Sequence, residues 1–191
     1  EIARLNGIYK GLLDNAGVTH YDGRAKIVDD HHIVIGETVI STDKILIATG
    51  SWPLVPEFPG SEYVITSNEA FFLKDLPDHC LVVGGGYIAV EFAGIFHGLG
   101  VDTSLSYRGD LFLRNFDIDI RKTIQEELTK KQIDLRLESN VVSIAALDNE
   151  RYLVTFREGG QLETDLILYA TGREPAVRDI GIENVAVELR D

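Results

Sequence analysis

The sequence predicts an α/β fold built on a parallel β-sheet. An apolar strand runs directly into a glycine-rich turn, two helical patterns each lead into a further apolar strand, and short β-branched runs form meanders on either side. The 191 residues suffice for one domain, or for one domain with pieces of another. Hydrophobic residues at 45% and charged residues at 26% are ordinary for a globular protein and argue against disorder.

The amino-terminal part predicts a helix followed by a β-meander. Apolar residues recur at helical spacing from Ile2 to Leu13, and Gly17 suits a left-handed helix end. Between residues 18 and 47, short β-branched runs alternate with tight turns, and the last run, 45–47, predicts a strand. Residues 52–60 contain three prolines and a glycine and therefore predict a domain boundary.

The central part predicts a βαβ unit. The apolar residues 81–83 form a strand that runs into three consecutive glycines at 84–86. Helical spacing then continues from Ile88 to Leu99, and Gly100 ends the helix. Residues 103–107 predict the second strand, so the unit has the usual length.

The other elements follow from the same patterns. A short helix is predicted near 68–73, a second crossover helix runs from a cap at Asp117 through Leu128, and a strand follows at 133–137. The last predicted strands are 141–147, 152–156 and 166–170, with a turn at Gly159–Gly160.

An internal repeat links the two halves of the chain. The sequence TDKILIATG at 42–50 returns as TDLILYATG at 164–172, with seven of nine positions identical. Two buried parallel strands could share an apolar composition by accident, but that does not explain the common Thr-Asp entry and Ala-Thr-Gly exit. The repeat therefore favours duplication of a nucleotide-binding unit.

Gly84-x-Gly86-x-x-Ala89 has the spacing of a dinucleotide fingerprint, at the strand-to-helix corner where that fingerprint occurs. The first glycine permits the tight turn, the second lets the backbone approach a pyrophosphate, and the small third residue lets the helix pack on the strand. The helix N-terminus would hold the pyrophosphate. The pattern predicts a Rossmann-like domain with a βαβ parallel sheet and a β-meander; the alternative is a tight turn without a ligand.

The residues after the second strand predict the coenzyme. A site for NAD carries an acidic residue there to bind the ribose 2′-hydroxyl, but this chain has Tyr107-Arg108, with Arg114 six residues later. Guanidinium groups present a fixed fork of donors to phosphate, so two of them favour the 2′-phosphate of NADPH. The alternative is a loop with two solvated arginines.

At this point the chain resembles the glutathione reductases of the class I pyridine nucleotide-disulfide oxidoreductase family. The resemblance covers essentially the whole chain and rests on VGGGYIAVEFAG at 83–94, Arg108, LRNFD at 113–117 and ATGREP at 170–175. It implies a central segment of a longer enzyme, with the NADPH-binding domain at 52–173. Partial FAD-domain segments would flank it, namely the latter part of the first segment at 1–51 and the start of the returning segment at 174–191.

The resemblance also implies site residues. Tyr87 matches the ring that gates the nicotinamide pocket, and Gly109 stands where the family often has another basic residue. The fingerprint positions are Gly84, Gly86 and Ala89; the residues matching NADPH contacts are Gly85, Ile88, Glu91, Arg108, Arg114 and Gly172; and those near FAD are Ala25, Thr49 and Gly50. From the residues alone, Glu91 could simply be an acid near a helix N-terminus, and Tyr87 could be core packing.

The reaction implied by the resemblance passes a hydride from NADPH to FAD, then electrons to a Cys-x4-Cys disulfide and on to oxidised glutathione. No catalytic residue of that reaction is expected in this chain, and the family implies a cytoplasmic homodimer that pairs outside it. Related enzymes such as trypanothione reductase or a dihydrolipoamide dehydrogenase remain alternatives, as does a stand-alone nucleotide-binding module. The short turn at 99–102 favours glutathione reductase over trypanothione reductase.

The composition of the chain limits the classes of partner and of site that it can have. The net charge of −13 disfavours nucleic acid and anionic membranes, and no stretch approaches the roughly 20 apolar residues of a membrane span. Cys80, the one cysteine, cannot form an internal disulfide and is expected to be a small buried hydrophobe. His31 and His32 are expected to be surface residues rather than metal ligands, and His97 to be solvated.

Overall fold

A computed structural model describes residues 1–189 of the chain. The chain divides into two compact units. One comprises Glu1–Gly50 together with the segment from Ala176 onward, and the other comprises Ser51–Pro175. No helix within the described part of the chain is long and apolar enough to cross a membrane.

The first unit contains the predicted helix and meander. Helix α1 spans Ile2–Asn15, and strands β1 (Ala25–Asp29), β2 (His32–Ile35) and β3 (Thr38–Ser41) form an antiparallel sheet in chain order. Gly17 has φ +69°, the left-handed conformation that glycine adopts without steric cost, so the prediction of a glycine helix end is confirmed.

The expected strand at 45–47 is wrong. These residues have no regular secondary structure, and Leu46 is 89% exposed. The first copy of the repeat keeps the turn chemistry of the second, because the Thr42 hydroxyl donates to Lys44 O at 3.1 Å just as the Thr164 hydroxyl donates to Leu166 O at 3.0 Å. A strand also needs a partner with which to exchange backbone hydrogen bonds. Within residues 1–189, only the second copy has one.

The second unit contains a four-stranded parallel sheet with strand order β11-β5-β6-β7. Its elements are β4 (Ser51–Pro53), α2 (Ser67–Ala70), β5 (His79–Val83), α3 (Tyr87–Gly98), β6 (Asp102–Ser106), α4 (Ile118–Lys130), β7 (Asp134–Arg136), β8 (Val141–Ala146), β9 (Tyr152–Phe156), β10 (Gln161–Thr164), β11 (Leu166–Tyr169) and β12 (Arg173–Pro175). The α/β prediction is confirmed, including the βαβ unit and the crossover helix α4, whose first turn Asp117 caps at 2.9 Å from Asp119 N.

The order of the strands reverses at β5. From β5 the chain moves outward through β6 to β7, passes through the antiparallel sheet β8-β9-β10, and returns as β11 on the other side of β5. Ligands of open α/β sheets bind outside the carboxyl ends of the strands at such a reversal. The topology therefore directs attention to the ends of β5 and β11.

Side chains alternate across the sheet and create two cores. Cys80 and Val82 of β5 pack with α3 residues such as Phe92 and Phe96, whereas Leu81 and Val83 pack with the antiparallel sheet. The sheet thus lies between a helical layer and a β layer. Part of the apolar pattern of α3 is not buried, since Ile95 is 48% and Leu99 59% exposed.

Sequence patterns did not reveal one pairing in this unit. The three-residue strands β4 and β12 pair antiparallel, with Arg173 opposite Pro53 and Pro175 opposite Ser51. The Arg173 guanidinium reinforces this pair by donating to the hydroxyl and carbonyl of Ser51, both at 2.6 Å.

Candidate dinucleotide-binding site

The fingerprint turn joins β5 to α3, and its first glycine is required by the backbone. Gly84 has φ +149°, and a Cβ atom there would lie 2.3 Å from the carbonyl oxygen of Ala170. Ala89, in the first turn of α3, is fully buried, and its Cβ lies 3.2 Å from the place that a Cβ at Gly84 would occupy. Helix, strand and turn are therefore packed as closely as their backbones allow.

The end of α3 at the turn is open. Gly86 is the N-cap residue and supplies no side-chain hydrogen bond to the first turn of the helix, and a Cβ at Gly86 would meet no atom within 4 Å. Helix N-termini present unsatisfied N–H donors and a partial positive charge. This helix end therefore has both the N–H donors and the space to bind a pyrophosphate.

The second strand ends beside the same turn. Tyr107 follows β6, and its ring packs on the backbone of Gly85, where a Cβ would lie 2.2 Å from the ring. On its other side the ring covers Gly109, where a Cβ would lie 2.7 Å away. A side chain at Gly109 would therefore meet the Tyr107 ring in the conformation that the ring adopts.

The two arginines predicted to select NADPH lie on the loop that follows. Arg108 and Arg114 are both exposed, and neither guanidinium has a hydrogen bond or ion pair with any residue between 1 and 189. Two uncompensated cations on one loop attract a phosphate group.

The remaining residues predicted to contact the nicotinamide coenzyme lie on α3 and after β11. Tyr87 is 55% exposed, so the core-packing alternative for its ring is wrong. Glu91 is exposed and Ile88 half-buried. Gly172 has φ +149°, and its carbonyl accepts a hydrogen bond from Leu54 N at 2.9 Å. Because Ala170 N donates to Val83 O at 2.8 Å, Gly172 lies at the same edge of the sheet as the fingerprint turn.

The residues predicted to lie near FAD belong to the first unit. Ala25 begins β1, and Thr49 and Gly50 lie in the irregular segment after β3. Gly50 has φ +76°, and its carbonyl accepts a hydrogen bond from Ala176 N at 3.0 Å. Their role toward FAD stays a prediction.

Other polar and sulfur-bearing residues lie outside the candidate site. Cys80 is fully buried, as expected, and burial raises the pKa of its thiol to about 12. His32 Nδ1 lies 2.9 Å from a carboxylate oxygen of Asp29, and His31 is exposed. Among residues 1–189, no group of three or more His, Cys, Asp or Glu residues could hold a metal ion.

Sequence reasoning did not identify one residue that contacts the loop carrying Arg108 and Arg114. Arg121, on the first turn of α4, donates to the carbonyls of Leu111 and Phe112 rather than to solvent. Every residue has a backbone carbonyl, so the sequence does not indicate which carbonyls accept hydrogen bonds from Arg121.

Known proteins resemble this chain in both amino-acid sequence and fold. The chain is 43% identical over 193 residues to a glutathione reductase of Nostoc sp., covering 100% of this chain and 42% of that protein. It is 40% identical over 181 residues to a trypanothione reductase of Leishmania donovani, covering 88% of this chain and 37% of that protein. The HOCl-induced flavoprotein disulfide reductase RclA of Escherichia coli superposes with a TM-score of 0.86 at 31% identity, covering 97% of this chain and 43% of that one.

These matches show the family and also the extent of the likeness. The chain spans about two fifths of the length of these relatives. The family model described as pyridine nucleotide-disulphide oxidoreductase matches residues 1–191. The chain therefore belongs to the pyridine nucleotide-disulphide oxidoreductase family.

Proposed function

We propose that this chain carries the NADPH-binding unit of a flavoprotein glutathione-disulfide reductase. The observation that carries the proposal is the pair of unpaired arginines, Arg108 and Arg114, on the loop beside an open helix N-terminus at the reversal of strand order. The likeness to a glutathione reductase over the whole chain supports the choice of enzyme.

The chain's own residues would bind and orient the coenzyme. The first turn of α3 would hold the pyrophosphate through backbone N–H groups, with Gly86 leaving the space for it. Arg108 and Arg114 would hold the 2′-phosphate, and the exposed ring of Tyr87 would cover the nicotinamide pocket. When bound, NADPH supplies a hydride, which FAD accepts in the complete enzyme.

The domain assignment is part of the same proposal. Residues 52–173 would form the NADPH-binding domain, and this assignment is supported by the compactness of Ser51–Pro175. Residues 1–51 and 174–191 would belong to the FAD domain, with Ala25, Thr49 and Gly50 near the flavin. The resemblance supports oxidised glutathione as the substrate, a homodimer as the assembly and the cytoplasm as the location.

A second candidate is a relative that reduces a different disulfide. The identity of 40% to a trypanothione reductase keeps this candidate open. The turn between α3 and β6 favours glutathione, because only residues 99–101 separate the two elements, whereas the trypanothione enzymes that the chain resembles carry extra residues there.

Replacing both Arg108 and Arg114 by Ala tests the proposal. A hydrogen bond to a charged group contributes roughly 1.5–3 kcal/mol, so we expect the double variant to lose on the order of 10²- to 10⁴-fold in NADPH affinity and little in NADH affinity. Calorimetric titration of the chain with both nucleotides measures the losses.

The matched control replaces Lys74 and Arg157 by Ala. Both side chains are exposed on the second unit, and their removal changes the net charge by the same amount. This control should leave both affinities within about twofold, because distant surface charges are screened by salt. Equal losses of NADPH and NADH affinity in the Arg108/Arg114 variant would contradict the proposal.

A further inference from the structure

The loop that carries both arginines has no regular secondary structure. It comprises residues 107–116, which we name the arginine loop, and it joins the end of β6 to the cap of α4. Two long exposed side chains converge on one phosphate only if the backbone between them is held in place. The contacts of this backbone therefore bear on the selection of the coenzyme.

Backbone hydrogen bonds hold the start of the arginine loop and one position in its second half. The carbonyl of Tyr107 accepts from Ser139 N at 3.0 Å, and that of Gly109 accepts from Glu138 N at 2.9 Å. Beyond the middle of the loop, Leu113 N donates to the carbonyl of Gly85 at 2.6 Å and ties the loop to the fingerprint turn. Residues 110–112 lie between these anchors.

Arg121 holds this middle part. Its Nε donates to the carbonyl of Phe112 at 2.8 Å, and its Nη2 donates to the carbonyl of Leu111 at 2.6 Å. Both contacts are partly buried, and the Phe112 side chain is fully buried. Donors from a charged, planar group make strong and directional hydrogen bonds, so the fork fixes two consecutive peptide groups at once.

The next residue shows why the loop requires such support. Leu113 has φ +58° and is only 4% exposed. A branched residue adopts the left-handed region only where its surroundings impose it. Arg121 holds the carbonyls of the two residues before Leu113, and Leu113 N itself donates to the Gly85 carbonyl. These contacts together impose the turn that presents Arg114.

We propose that Arg121 is a positioning residue for coenzyme selection. It acts through the backbone of the arginine loop, holding Arg108 and Arg114 ready for the 2′-phosphate of NADPH. This inference rests on the proposed function of those two arginines. NADH lacks the 2′-phosphate, so its binding at the helix end does not depend on the fork.

Calorimetric titration of Arg121→Ala, Arg121→Lys and Lys122→Ala with NADPH and NADH tests the inference. Loss of the fork lowers the fraction of molecules with a competent loop, and apparent affinity falls by that fraction. We expect Arg121→Ala to weaken NADPH about tenfold and NADH less than twofold. Lys122→Ala removes an exposed cation from the same helix and should change neither.

Arg121→Lys separates geometry from charge. Lysine keeps the positive charge but cannot form a planar fork to two carbonyls, so we expect it to weaken NADPH by at least about threefold. Full NADPH affinity in the lysine variant would overturn the inference, because charge alone would then suffice. This variant also provides the measurement if Arg121→Ala does not fold.

A double-mutant cycle separates positioning from direct binding. In the Arg108→Ala/Arg114→Ala background, Arg121→Ala should cause no further loss of NADPH affinity, because the groups that it positions are gone. A further loss equal to that in the wild type would overturn the inference in favour of direct contact. If the arginine pair proves selective for NADPH but Arg121→Ala binds normally, the inference fails while the proposed function stands.

Discussion

At the scale of single residues, the three consecutive glycines of the fingerprint turn differ in how far the fold constrains them. A side chain at position 84 would be strained by the positive φ and would collide with the Ala170 carbonyl. A side chain at position 85 would collide with the Tyr107 ring. Gly86 has φ −89° and open space around its Cα. The fold thus explains the first two glycines, and the open space at Gly86 is where we propose that the coenzyme pyrophosphate binds.

Gly86→Ala should separate binding from folding. The added Cβ meets no protein atom, so we expect the unfolding free energy to change by less than about 1 kcal/mol. A pyrophosphate that approaches the backbone would meet the methyl group, so NADPH and NADH affinities should both fall at least about tenfold. Calorimetry and urea unfolding measure the two effects.

Gly94→Ala is the matched control for this prediction. It lies in the same helix and also has open space around it, and alanine favours the helix by roughly 0.5–1 kcal/mol. Coenzyme affinity should be unchanged in this variant. Unaltered coenzyme binding by Gly86→Ala would show that the ligand does not approach the backbone there.

At the scale of elements, helix ends and strand partners determine what forms. Helix α2 has only four residues and begins with a capping box, in which the Thr66 hydroxyl accepts from Asn68 N at 3.2 Å and Glu69 accepts from Thr66 N at 2.8 Å. The Thr66 hydroxyl also donates to the Glu69 carboxylate at 2.7 Å, and this hydrogen bond, together with that from Thr66 N, lowers the pKa of the Glu69 carboxyl. The local sequence therefore specifies this helix despite its shortness.

Thr66→Ala should weaken this helix in a pH-dependent way. Loss of the cap should lower the unfolding free energy by about 1 kcal/mol at neutral pH. Because the folded pKa of Glu69 lies below its unfolded value, the contribution of the carboxylate is fully present above about pH 5 and is lost as the pH falls through the folded pKa. The difference between wild type and variant should shrink accordingly.

Urea unfolding at pH 7 and at a pH below about 4 measures this difference. Thr66→Ser, which keeps the hydroxyl, is the control and should behave like the wild type at both values. A difference that grows on acidification would contradict the assignment of the carboxylate.

At the scale of the whole molecule, the chain carries the proposed coenzyme site but only one cysteine, so it has no redox pair. Cys80 is its one cysteine, it is fully buried, and its pKa is raised to about 12 by burial. Disulfide exchange requires an accessible thiolate and a second sulfur. Neither requirement is met by Cys80.

The chain alone should therefore show no turnover of oxidised glutathione with NADPH. The decay of NADPH absorbance in the presence of oxidised glutathione measures it, with the Cys80→Ala variant as the matched control. We expect both proteins to match the blank without protein. Activity that rises with the amount of chain and disappears in Cys80→Ala would contradict this account.

Sequence patterns specified the elements that depend on local physics. The predicted strand at 81–83 lies within β5, and the helix from Ile88 to Leu99 matches α3 to within a residue at each end, because apolar periodicity and flanking glycines act over a few residues. The fingerprint and the two arginines after β6 are also visible in sequence, since each is defined by spacing from a strand end. These features were enough to predict the α/β fold and a candidate coenzyme site.

Tertiary structure alone decided the features that depend on partners distant in sequence. The same repeat forms a strand at Leu166–Tyr169, where β5 pairs with it, and no strand at 45–47, where no strand within residues 1–189 does. The pairing of β4 with β12 likewise joins backbone groups, and the Arg121 side chain donates to two backbone carbonyls, a group that every residue possesses. Backbone hydrogen bonds carry no side-chain signature, so only the folded chain reveals which of them form.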